Sequence, residues 1–194
     1  MPALQPAAVT SASPILIVTG SPGAGKTTLS AGLARASARG AHLVGDAFYT
    51  FVADPIPPVR PESRAQNTTV IRATMRAAAA FAAGGYEVFV DGIFGPWFLP
   101  LIAGEFEPTG LAVDYVVLQL SLEQALGRAT TRAAPCEPAI VRQMHAAFAD
   151  LGAYRHHALG AGDRTIEEIA SELRQRRATG DFRLDLAAAR RAGS

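Results

Sequence analysis

Lysine is all but missing from this chain. Of its eighteen basic residues, seventeen are arginine and only position 26 is lysine. Cysteine is as scarce: Cys136 stands alone, which excludes an internal disulfide framework and fits a reducing compartment. No run approaches the ~18 consecutive apolar residues of a membrane span. Eighteen basic residues stand against seventeen acidic ones, so there is no excess of positive charge to suggest a nucleic-acid partner. Residues 1–13, rich in Ala, Pro and Ser, have neither a basic n-region nor an apolar h-region. They predict a flexible leader and not a signal peptide. These absences predict a cytoplasmic protein with no membrane partner. What remains, 49% hydrophobic and 18% charged over 194 residues, predicts one soluble globular domain with a sizeable core.

The one lysine sits in the most informative stretch. Residues 15–18, Ile-Leu-Ile-Val, form a short β-branched apolar run that reads as a buried parallel strand. Gly20, Ser21, Pro22, Gly23, Ala24, Gly25, Lys26 and Thr27 then fill every fixed position of G-x-x-x-x-G-K-[ST], followed by Thr28. Glycines let backbone N–H groups turn inward around phosphate oxygens, and the next helix points its positive end at the same anion. The Lys26 ammonium is expected to reach the β- and γ-phosphates and the Thr27 hydroxyl to ligate Mg²⁺. With its single lysine used here, the chain has none for the Asn-Lys-x-Asp motif of guanine selection.

Downstream, strands alternate with helices. A second strand over 41–45 ends at Asp46, and a Pro-rich connection follows over 54–61. Ser63 is expected to cap a helix that runs to Ala83 and is stopped by Gly84 and Gly85. A third strand over 86–90 ends at Asp91-Gly92, and residues 94–99 read as a tight aromatic turn into a short helix. The clearest strand covers 114–120, with Ser121 capping a helix that carries Arg128 and Arg132 four residues apart, on one face. Pro135 and Pro138 interrupt that helix. A further helix over roughly 138–151 bears Ile140, Met144, Phe148 and Leu151 at helical spacing. A weak fifth strand is predicted over 155–159. Thr165 opens a last helix with Glu168 at capping-box spacing, and residues after Gly180 carry no clear pattern. The alternation predicts a three-layer α/β/α architecture of the P-loop NTPase kind. It has a central, roughly five-stranded parallel sheet, small lid segments, and its site at the carboxyl ends of the strands.

In this order and spacing the residues resemble the small P-loop kinases of the nucleoside-monophosphate-kinase-like group, over roughly residues 14–178. The nearest likeness is to antibiotic (chloramphenicol-type) phosphotransferases and AAA-type small kinases, with shikimate and gluconate kinases more distant. It rests on residues 20–28, on Val44-Gly45-Asp46-Ala47-Phe48-Tyr49, on residues 85–92, and on Arg128-Ala-Thr-Thr-Arg132. Only the first of these is specific by itself.

The resemblance implies ATP and Mg²⁺ as cofactors and a small-molecule hydroxyl as acceptor, in a monomer or homodimer. Lys26, Asp46 and Arg132 would be catalytic, Asp46 facing the acceptor hydroxyl and Arg132 clamping the transferring phosphate. Arg128 would pack near adenine, and Asp91 would join Thr27 in holding the metal. Residues 54–76 would form a substrate lid, 128–138 a nucleotide lid, and 179–194 a C-terminal tail. Within the substrate lid, Arg60, Arg64, Gln66, Asn67, Arg72 and Arg76 are candidates for recognising the acceptor. Plainer roles fit the same residues: a turn aspartate at 46, an Asp-Gly turn at 91, a solvated helix face for the arginines. Two alternatives stay open, a zeta-toxin-like nucleotide-sugar kinase and a switch protein that binds ATP and hydrolyses it slowly. The second strand ends in one aspartate where shikimate kinases carry Asp-x-Asp, which puts shikimate in doubt. No arginine-rich monophosphate pocket is visible, which argues against a nucleotide acceptor.

Overall fold

The computed structural model describes residues 13–131 and 135–193; the leader expected over 1–13 falls almost wholly outside them, and so does Arg132. Ile15–Gly20 form β1, whose Ile15, Leu16, Ile17 and Val18 are all fully buried. A strand covered on both faces must be apolar throughout, and here alternate residues serve opposite layers. Ile15 and Ile17 join one core with Ile71, Met75 and Phe106, while Leu16 and Val18 join another with Leu29, Leu33 and Leu173.

The remaining strands are β2 (Gly40–Val44), β3 (Glu87–Asp91), β4 (Val113–Gln119) and β5 (Ala158–Gly160). They pair in parallel in the order β2-β3-β1-β4-β5. Helices α1 (Lys26–Ala36), α2 (Arg64–Ala83), α3 (Leu99–Phe106), α4 (Leu122–Thr131), α5 (Pro138–Ala147), α6 (Ile166–Ala178) and α7 (Leu186–Arg191) complete the three layers. Among the described residues, no helix is long and apolar enough to cross a membrane.

At α4 and α6 the helix start is settled by side chains close in sequence. Ser121 and Gln124 bond each other reciprocally at the head of α4, at 3.0 and 3.2 Å, and Thr165 and Glu168 form the expected capping box of α6. Ser63 departs from expectation. It does not cap α2; its hydroxyl reaches back to the Pro58 and Arg60 carbonyls at 2.9 and 2.6 Å and ties down the Pro-rich loop.

The fifth strand also lies later than predicted. Arg155, His156 and His157 belong to a 3-10 turn over Gly152–His157, and only three residues after it join the sheet. His157 turns inward and its Nδ1 bonds the Tyr115 carbonyl of β4 at 2.9 Å. Burial, reinforced by neighbouring His156, lowers its pKa to about 4, so it donates as a neutral imidazole. Past Gly180 the chain continues into the core. Phe182 and Leu184 are buried, Asp185 caps α7, and buried Asp114 accepts from Arg177 and Arg183 at 2.9 Å each.

Candidate active site

Two tight approaches and a left-handed N-cap glycine fix the loop between β1 and α1. A Cβ on Gly20 would stand 2.4 Å from the Leu118 carbonyl oxygen of β4, and one on Gly23 would stand 2.5 Å from that of Ala125 in α4. Gly25, at φ 88°, occupies the N-cap position of α1 in the left-handed region. No side chain caps α1 and its first turn holds no acid, so its leading N–H groups and positive end face the loop. Lys26 folds back, its Nζ donating to the Gly20 and Ser21 carbonyls at 3.0 Å each. An uncapped helix N-terminus and an ammonium beside it together suit a polyphosphate.

One residue on, Thr27 Oγ1 donates to Asp91 Oδ2 at 2.6 Å. Asp91 closes β3 and is almost wholly buried. Its second oxygen bonds Nε2 of His42 at 2.6 Å. His42 pairs with Phe89 across the β2–β3 register, so it shares a sheet face with Asp91 one diagonal step away. Thr27 and Asp91 are hard oxygen donors and few in number, which suits Mg²⁺, an ion that keeps several waters and takes phosphate oxygens. Sequence reasoning passed over His42. A lone histidine on a five-residue strand carries no local signal of the carboxylate beside it.

Asp46 follows β2 inside a 3-10 turn over Gly45–Phe51. Together with Lys26 it lines a cavity of about 570 Å³. Trp97 and Phe98 of the aromatic turn stand in the cavity wall, and Trp97 leans on Phe148 at 5.3 Å between ring centroids. Ile140, Met144 and Ala147 of α5 also line it. Tyr49 donates from its hydroxyl to Asn67 Oδ1 at 3.0 Å, and burial, helped by the charge of Asp46, pushes its pKa up to about 12.

The substrate-lid residues divide. Gln66 brackets Ile56 with two bonds, to its N–H and its carbonyl, at 2.8 and 2.7 Å, and Asn67 holds Pro58 and Ser63 at 2.8 and 2.9 Å. Both pin the Pro-rich loop onto α2. Arg72 and Arg76 pair with Glu105 of α3 at 3.1 and 2.7 Å, and neither they nor Arg60 and Arg64 line the cavity.

Arg128 donates to the Ala161 and Gly162 carbonyls, clasping α4 to the loop after β5. That loop leads into α6, whose Ile166 approaches Gly25 of the phosphate loop. Arg128 therefore shapes the border of the phosphate loop from outside the cavity. Arg132 lies outside the described residues. Cys136, a half-buried thiol, faces the cavity.

A family model described as an AAA domain matches residues 16–140. Among curated proteins, none matches the chain. Solved structures share its fold. A sugar kinase from Janibacter sp. HTCC2649 superposes with a TM-score of 0.64 at 18% identity, covering 84% of this chain and 93% of that one. A gluconokinase from Sinorhizobium meliloti 1021 gives 0.57 at 15% identity, covering 87% and 98%. The tunicamycin resistance protein of Deinococcus radiodurans gives 0.59 at 16% identity, covering 87% and 96%.

Proposed function

The chain belongs to the AAA-domain family, and from that premise we propose that it is a kinase, dependent on ATP and Mg²⁺, that transfers the γ-phosphoryl group to a hydroxyl of a small molecule. One juxtaposition carries the reading: Lys26 of the phosphate loop and Asp46 at the end of the second strand line one ligand-sized cavity. A switch protein that only hydrolyses ATP has no need of such a cavity. The sugar kinase and gluconokinase of like fold support the same reading. The setting is cytoplasmic, with no nucleic-acid or membrane partner.

In this mechanism the loop of residues 20–28 binds the triphosphate, and Lys26 balances charge on its terminal groups. Asp46 orients the acceptor hydroxyl and takes its proton as the oxygen bonds phosphorus and the bridging oxygen leaves with ADP. Thr27 and Asp91 are the residues that would hold Mg²⁺, which when bound neutralises charge shared between phosphates. A panel of hydroxylated metabolites and antibiotics with Mg-ATP is expected to contain an acceptor that raises ADP release above the basal rate. Absence of nucleotide binding by calorimetry would remove the reading.

His42 acts through Asp91 as a positioning residue. His42→Ala is expected to raise the Mg²⁺ concentration for half-maximal ADP release about 10-fold or more, the usual cost of losing a partner behind a metal ligand. Saturation by the acceptor should barely change. An unaltered Mg²⁺ dependence would assign His42 to strand packing alone.

A further inference from the structure

The cavity beside Lys26 and Asp46 is sharply divided in character. Its only charged lining residues, among those described, are these two, one from the phosphate loop and one from the turn after β2. Beyond them the wall is built from the β3–α3 connection, with Ile93, Phe94, Trp97 and Phe98, and from the inner face of α5. Val70 and Ile71 of α2 add to the same apolar lining.

The two polar residues midway along the wall are already engaged with each other and with the loop. Both amide hydrogens of Asn67 go to the Pro58 carbonyl and to Ser63 Oγ, which orients its Oδ1 toward Tyr49 and makes the Tyr49 hydroxyl the donor. With its pKa pushed up to about 12, Tyr49 keeps that proton. What these residues still offer a ligand is acceptor capacity: the phenolic oxygen and the second lone pair of Asn67 Oδ1. Pro57 and Pro58, next along the wall, have no N–H to give. Arg60, Arg64, Arg72 and Arg76, the arginines of this stretch, do not line the cavity, and Arg72 and Arg76 are paired with Glu105. Apart from Lys26, the main side-chain donor of the wall is the indole N–H of Trp97, neutral and single.

We propose that the acceptor is an uncharged molecule with an aromatic or similarly apolar body, held in the α3–α5 part of the cavity and presenting its hydroxyl to Asp46, and that hydroxy acids are poor ligands. This rests on the kinase reading above. A carboxylate seated on this wall would lose water and, among the described side chains away from Lys26, meet no cation and little besides one neutral indole N–H, lone pairs and hydrocarbon, a cost that sends it elsewhere. An arene, by contrast, gains contact with Trp97, Phe98 and Met144, and its O–H or N–H donors meet Tyr49 and Asn67. The volume, about 570 Å³, falls among pockets that enclose drug-sized ligands.

A matched pair of probes tests this: 3-phenylpropane-1,2-diol and 3-phenyllactate, one skeleton ending in a hydroxymethyl or in a carboxylate. Trp97 is the only tryptophan of the chain and stands 46% exposed on the cavity wall, so its emission reports occupancy without nucleotide. The diol is expected to half-saturate the emission change at a concentration about tenfold or more below that of 3-phenyllactate. Ile140→Arg, which sets a cation on the half-buried inner face of α5, should erase or reverse that preference, with circular dichroism checking the fold. Equal or tighter binding of 3-phenyllactate to the parent protein, or no response to either probe, overturns the inference. Diol binding without any ADP release under Mg-ATP leaves the ligand class as stated and counts against the kinase reading.

Discussion

Asp46→Asn is expected to keep Mg-ATP affinity within a few-fold of the parent while lowering phosphoryl transfer by a factor on the order of 10²–10⁴, the range for loss of a general base. Asparagine nearly matches aspartate in shape but cannot take a proton from the acceptor hydroxyl. Asp46 also lies in the 3-10 turn after β2, on exposed backbone, so the change leaves the buried layers untouched. Tyr49 cannot replace it as base, because its hydroxyl is held protonated and donates to Asn67. The informative measurement pairs two rates: transfer to an acceptor, and basal ATP hydrolysis without one. Loss of transfer alone assigns Asp46 to the acceptor. Equal loss of both would make it a metal-positioning residue and shift the base elsewhere.

How far such a site can be read from sequence depends on whether its parts are specified locally. The phosphate loop was legible because the backbone itself is the binding element. Gly20 and Gly23 stand where any Cβ would strike the Leu118 or Ala125 carbonyl, so residue type and position are dictated together. Asp91 was legible as a strand-end acid, and the parallel sheet brings it to Thr27, sixty-four residues away, at 2.6 Å. Asp46 lay in view for the same reason. The strands β1, β3 and β4 were recognisable from their apolar runs, since a strand buried on both faces cannot hide its composition.

What the sequence left hidden are pairings set by tertiary neighbours. Arg72 and Arg76 read equally as acceptor contacts or as solvated surface until α3 supplies Glu105. Gln66 and Asn67, candidates for recognising the acceptor, also fasten the Pro-rich loop, a role that depends on how that loop folds back over α2, and of the two Asn67 lines the cavity. The fifth strand was placed early because His157 reads as a strand residue by pattern, whereas its buried bond to Tyr115 ends a 3-10 turn. The cavity was half visible. Ile140 and Met144 showed helical spacing, and nothing local distinguishes a stripe that faces a ligand from one that faces the core.

Lys26→Ala is expected to weaken Mg-ATP binding and to lower any residual phosphoryl transfer by a factor on the order of 10²–10³, the usual loss when a preorganised charge-stabilising donor is removed. The fold should survive. The hydrogen bonds that Lys26 makes to the Gly20 and Ser21 carbonyls lie at the partly exposed loop, away from both core clusters. Lys26→Arg separates charge from shape: a planar, larger guanidinium keeps the charge but not the compact ammonium that fits between two carbonyls. It should recover only part of the loss. The scarcity of lysine supplies a second test that needs no mutation. Position 26 holds the only lysine amine of the 194 residues, so once the α-amine is blocked a lysine-selective acylating reagent has one target. Mg-ATP is expected to slow its modification, followed by mass spectrometry, in proportion to the bound fraction. Acylation at the same rate with and without Mg-ATP, together with unchanged affinity in Lys26→Ala, would place the nucleotide somewhere other than this loop.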